Sequence, residues 1–150
     1  MRSSREMLGD LPDVECSCER CVSMCQHLPC WPLPEEAEAL IKAGHGDRLM
    51  ADWWEDENGR RIWILCPAGL GQAGLDAPIR YWWSTPEESC VFLTSDGKCA
   101  LHVPGLKPIE GRKASCKNES PFAKRKLIAA AWRKKYWQDM VREWRKTRAD

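Results

Sequence analysis

Residues 16–30 read Cys16-Ser17-Cys18-Glu19-Arg20-Cys21-Val22-Ser23-Met24-Cys25-Gln26-His27-Leu28-Pro29-Cys30, five cysteines within fifteen positions. The spacing is C-x-C-x2-C-x3-C-x4-C, and the two residues between Cys18 and Cys21 are those of a zinc knuckle, where a short loop wraps one ion without backbone strain. A disulfide framework is a poorer reading, because one pair of these cysteines is separated by a single residue and the total of nine is odd. The first fifteen residues include Arg2, Arg5, Glu6, Asp10, Asp13 and Glu15 and contain no apolar stretch that reads as a secretory signal. These features point to the cytoplasm, where thiols stay reduced and clustered cysteines more often bind metal.

A second cysteine group lies downstream. Cys90, Cys99, His102 and Cys116 follow the pattern C-x8-C-x2-H-x13-C, a Cys3His set, with Ser95-Asp96-Gly97 as a tight turn expected to bring Cys90 back beside Cys99. Cys66 stands alone at the end of an apolar run before Pro67 and reads as a small buried hydrophobe. His27 and His45 are solitary and are left out of the site. The expected ligands are therefore Cys16, Cys18, Cys21, Cys25, Cys30, Cys90, Cys99, His102 and Cys116, holding one or two zinc ions. Iron or an iron–sulfur cluster is the alternative, although neither common ferredoxin spacing is present.

Two stretches resemble the zinc- or iron-chelating CxxCxxCC (YkgJ-like) domain family. One is the N-terminal cluster; the other is Cys90-Val91-Phe92-Leu93 with Gly97-Lys98-Cys99-Ala100-Leu101-His102. The resemblance covers about half the chain and implies a small protein that holds zinc or iron, with an iron–sulfur cluster in some related sequences. The chain departs from the family in two places. Cys21 and Cys25 are three residues apart where the family has adjacent cysteines, and Gly111 stands where the family has its later cysteine.

At 150 residues the chain fits a single domain with an appendage, and it has no apolar run of about 18 residues that could span a bilayer. The expected fold is α+β: a small metal-stabilised domain with irregular Cys-rich loops, a short β-hairpin and a long C-terminal helix. Residues 1–15 read as a flexible arm, 16–119 as the Cys-rich domain and 120–150 as a basic amphipathic helix. Within the domain, Pro34 and three glutamates start a helix over residues 35–43 that Gly44 can stop. Arg61-Ile62-Trp63-Ile64-Leu65 has strand composition, and Asn58-Gly59 before it is a hairpin turn. Residues 67–78 read as a loop without the features of a phosphate-binding motif. Ser120-Pro121 starts a final helix, and the absence of Gly and Pro from residues 122–147 predicts that it is continuous.

Charge divides the chain. Residues 1–120 carry 13 Lys and Arg against 19 Asp and Glu, whereas residues 121–150 carry 10 against 3, a net of −6 and +7. On the helical wheel Phe122, Leu127, Ala130, Trp137, Met140, Val141 and Trp144 form an apolar stripe. Lys134, Lys135, Arg142 and Arg145 lie away from it as contacts for a protein partner or nucleic acid, and an anionic membrane surface is a further candidate. Trp132, off the stripe, reads as a ring that could stack on bases. The paired tryptophans Trp53-Trp54 and Trp82-Trp83 each set one ring toward the core and one toward an interface if they lie in strands.

Catalysis has less support. The chain has three histidines and neither an H-E-x-x-H nor an H-x-E…P-C-x-x-C pattern, so its thiolate-rich sites read as structural. The sequence therefore points to a non-enzymatic metal-binding accessory or interaction protein. A nucleic-acid-binding module that uses the basic helix, and an iron–sulfur or redox-sensing protein, are the alternatives.

Overall fold

The computed structural model describes residues 4–9, 30–70, 73, 90–96, 98–101, 105–112 and 121–148. In chain order its elements are α1 (Ser4–Gly9), α2 (Pro34–Leu40), β1 (Leu49–Glu55), β2 (Arg61–Pro67), α3 (Ile109–Arg112), α4 (Pro121–Ala131) and α5 (Lys135–Lys146). This is an α+β arrangement built around one two-stranded antiparallel sheet. Among the described residues no helix is long and apolar enough to cross a membrane.

The hairpin forms where local chemistry calls for it. Its register runs from Leu49 opposite Pro67 to Glu55 opposite Arg61. The loop is longer than a two-residue turn. The Asp56 amide donates to Arg60 O at 2.9 Å, while Asp56 Oδ1 accepts from the Asn58 and Arg60 amides, each at 2.9 Å. Gly59 closes it at φ +76°, the left-handed conformation that a glycine adopts without steric cost.

Helix α2 begins at Pro34, and Glu36 reaches back to accept from the Leu33 amide at 2.8 Å. A wider turn over Ile41–His45 follows, in which Gly44 sits at φ +92° and ends the helical run. Ala37 and Leu40 are fully buried against the sheet. The part of the N-terminal segment read as an arm that is described, Ser4–Gly9, is helical, because burying Leu8 at 1% exposure gives this short turn a packing partner in α4.

The C-terminal segment is two helices, not one. Chain geometry changes at Lys134, which is extended at φ −61° and ψ 141°. No Gly or Pro causes the break; tertiary contacts do. Trp132 is fully buried and its indole Nε1 donates to Pro32 O at 2.9 Å. The carbonyl that the break releases on Trp132 accepts from Gln138 Nε2 at 2.8 Å, which satisfies that acceptor.

The break also shifts the phase of the apolar stripe. Ile128 and Ala129 are buried on α4 and Trp132 just beyond its end, whereas Ala130, expected to face inward, is exposed. Beyond the break Val141 and Trp144 are buried as expected, with Trp137 and Met140 packed beside them. The core thus joins Trp31, Leu40, Leu49, Met50, Ile64, Leu65, Phe92, Leu101 and Ile128 around the sheet.

Candidate functional site

The residue after Cys30 is the anchor of the described site. Trp31 is buried at 1% exposure, and its backbone is paired in both directions with Glu110 of α3: Trp31 N donates to Glu110 Oε1 at 3.0 Å, and Glu110 N donates to Trp31 O at 3.2 Å. Glu36 adds a second tie, accepting from the Ile109 amide at 3.0 Å. The end of the first cysteine group is therefore fastened to the segment that leads toward Cys116.

A buried polar cluster surrounds this anchor. Arg125 of α4 grips Glu110 with two hydrogen bonds, Nε to Oε2 at 2.7 Å and Nη2 to Oε1 at 3.1 Å, a fork geometry that only arginine provides. Its guanidinium lies 4.3 Å from the centre of the Trp31 ring. On the sheet side Asp52, with no exposure, accepts from Trp31 Nε1 at 2.9 Å and from the Trp53 amide at 2.7 Å.

Burial pushes the Asp52 carboxyl up from 3.8 to about 6, although its hydrogen bonds from Trp31 and Trp53 and the nearby Arg125 charge pull the other way. Burial also works against the Arg125 charge, but Glu110 and Asp52 outweigh it and hold Arg125 above its ordinary value. Cys66, fully buried on β2, is raised well above the usual thiol range by burial first and then by Asp52. It stays a neutral thiol, 3.8 Å from Met50 O, in keeping with a core residue.

The second cysteine group starts against the end of β2. The Val91 amide donates to Ala68 O at 2.9 Å, and Cys90 pairs with Gly69. A tight turn over Ser95 and Asp96 folds the chain back, with the Thr94 amide donating to Lys98 O at 2.8 Å and the Thr94 hydroxyl hydrogen-bonded to Asp96. The turn lies where expected, but the register sets Leu93, rather than Cys90, opposite Cys99. Phe92 and Leu101 anchor this unit in the core.

Cys30, Cys90 and Cys99 are partly exposed and outside any disulfide, with donor chemistry that suits zinc or iron. They do not form a complete site by themselves: among the described residues no three His, Cys, Asp or Glu side chains are grouped as a metal ion requires. Cys16, Cys18, Cys21, Cys25, His102 and Cys116 lie outside the described residues, as do Trp82 and Trp83.

The C-terminal cations have unequal surroundings. Lys134 is exposed, Lys135 and Arg142 share Asp139 at 2.6 and 2.8 Å, and Arg145 lies over the Trp63 ring at 4.4 Å. Trp132, read as a base-stacking ring, is a core residue with no exposed face. The wheel misplaced it because it takes residues 122–147 as one continuous helix, whereas Trp132 stands in the break between α4 and α5.

Sequence reading also missed Trp31, Asp52, Glu110 and Arg125. One signal was present for Asp52: it alternates with Met50 and Trp54 on the face of β1 that points inward. Nothing local marks the Glu110 and Arg125 pair. No family model, no curated protein and no solved structure matches the chain.

Proposed function

We propose that the protein is a non-enzymatic, cytoplasmic metal-binding accessory or interaction protein whose thiolates hold one or two zinc ions in structural sites. The ligands of this reading are Cys16, Cys18, Cys21, Cys25, Cys30, Cys90, Cys99 and Cys116, with His102 as a nitrogen donor. The observation that carries it is the two-way pairing of Trp31 with Glu110 at 3.0 and 3.2 Å, which ties the exit of the first cysteine group to the approach to Cys116. Such an arrangement lets a bound ion cross-link segments far apart in sequence, and the free energy of metal binding then becomes folding free energy.

Bound zinc supplies a tetrahedral cross-link and no redox chemistry. The partly exposed Cys30, Cys90 and Cys99 support the reading, because a thiolate that meets an ion at the edge of a core need not lose all its hydration. The thiolate-rich donor set also favours a structural over a catalytic role.

Elemental analysis and an absorption spectrum of protein purified without oxygen test the proposal. Stoichiometric zinc in colourless protein is the expected result; iron with visible charge-transfer bands would replace zinc by an iron or iron–sulfur centre. Cys18→Ser and Cys99→Ser should each lose metal and lower the melting temperature. Full metal content and unchanged melting in both variants would show that these cysteines are not ligands.

A further inference from the structure

Side chains alternate across the hairpin, so Trp53, Glu55, Arg61 and Trp63 share the face opposite the buried Asp52, Ile62 and Ile64. Trp53 and Trp63 are directly paired across the strands, with ring centres 5.6 Å apart and planes tilted by 58°. Both are only half-buried. Arg61 lies over them, 4.5 Å from the Trp53 ring centre and 5.9 Å from that of Trp63.

Helix α5 runs beside this face because Gln138 clasps the strand. Its Oε1 accepts from Trp63 N at 3.0 Å and its Nε2 donates to Trp63 O at 2.9 Å, so the backbone groups of Trp63 on the outer edge of β2 are satisfied by a side chain. The clasp leaves an open groove of about 260 Å³ lined by Trp63, Gln138, Val141, Arg142, Arg145 and Lys146. Every charged side chain in that lining is a cation.

We propose that this groove, continued along the hairpin by Trp53 and Arg61, binds single-stranded nucleic acid. An incoming base takes the place of the guanidinium that now lies over an indole, Arg61 over Trp53 or Arg145 over Trp63, and the displaced cations follow the phosphates. Duplex bases keep their faces stacked on one another and cannot use the tryptophans. An acidic peptide would use the charge but leave the paired indoles without a role. Arg142 now pairs with Asp139 at 2.8 Å and Lys146 with Glu143 at 3.2 Å, but these are exposed pairs of small net worth that a phosphate can displace. The proposal rests on surface residues and is independent of whether the thiolates hold metal.

Fluorescence anisotropy of a labelled single-stranded oligothymidylate, titrated with the full-length protein as purified, tests the groove. Binding should quench tryptophan emission and weaken steeply with salt. The exposed double variant Arg142→Gln/Lys146→Gln should bind about tenfold more weakly and lower the salt slope by about two. Trp53→Leu should also weaken binding about tenfold, through lost stacking, with the salt slope unchanged. Glu143→Gln, which removes the competing partner of Lys146, should tighten it. Melting curves establish that each variant is folded. Absent binding, equal affinity for a duplex, equally effective competition by polyglutamate, or full affinity in the folded Arg142→Gln/Lys146→Gln and Trp53→Leu proteins would each overturn the proposal.

Discussion

Arg125 Nε stands 2.7 Å from Glu110 Oε2, and both side chains are only 12% exposed. This pair joins α4 to α3, which is hydrogen-bonded in turn to Trp31, and it holds two charges in a place where water screens them weakly. Removing one partner strands the other. Arg125→Met is therefore expected to cost about 3 kcal/mol, and Glu110→Gln somewhat less because the amide oxygen can still accept from Trp31 N. Urea unfolding curves check both values. A loss below about 1 kcal/mol for Arg125→Met would mean that the pair is solvated.

Asp52 gives stability a pH dependence of unusual sign for a carboxylate. Its folded value of about 6 lies above the ordinary 3.8, so between these two values the native state binds more protons than the unfolded chain. The stability associated with this group is fully present below about pH 3.8 and is lost as pH rises through about 6. Asp56, Asp96 and Asp139 are shifted downward and act in the opposite direction, so the comparison must be with a variant. Relative to wild type, Asp52→Asn should gain about 2–3 kcal/mol between pH 4 and pH 7. A difference that does not change with pH would show that Asp52 titrates normally.

The break between α4 and α5 depends on Trp132 and Gln138. Trp132→Ala should cost about 3–5 kcal/mol, the range for emptying a large aromatic site in a core. Gln138→Ala removes the partners of Trp63 N, Trp63 O and Trp132 O and should cost about 1–3 kcal/mol. Chemical denaturation gives the magnitudes. A neutral Gln138→Ala would mean that water replaces the clasp without loss.

Cys66 separates a core thiol from a metal ligand. Cys66→Ala should keep the zinc content of the wild type and cost about 1 kcal/mol, the scale for trimming a small buried group. Metal analysis beside a melting curve reads both effects at once. Loss of metal in a folded Cys66→Ala protein would add Cys66 to the ligands.

Several elements were legible because their causes are local. The hairpin follows from the strand composition of residues 61–65 and from Asn58-Gly59, although the side chain of Asp56 lengthens its loop. Pro34 and Gly44 bound the first long helical run, and Pro121 starts α4. The cysteine spacings are equally plain, but spacing gives donor types and order along the chain, not convergence. That is why Leu93, not Cys90, faces Cys99.

The sequence by itself determined the α+β class, the hairpin, the helix starts and the grouping of the cysteines, since each depends on residues within a few positions of one another. Only the tertiary structure decided that residues 122–147 form two helices, that Trp132 is core, and that Asp52 is buried beside the Arg125–Glu110 pair. Trp31 and Glu110 are 79 positions apart, and Trp132 and Pro32 are 100 apart. No local pattern encodes such contacts; they form because burying the indoles of Trp31 and Trp132 requires a hydrogen-bond acceptor for each ring N–H, and the assembled fold supplies Asp52 and Pro32 O at 2.9 Å.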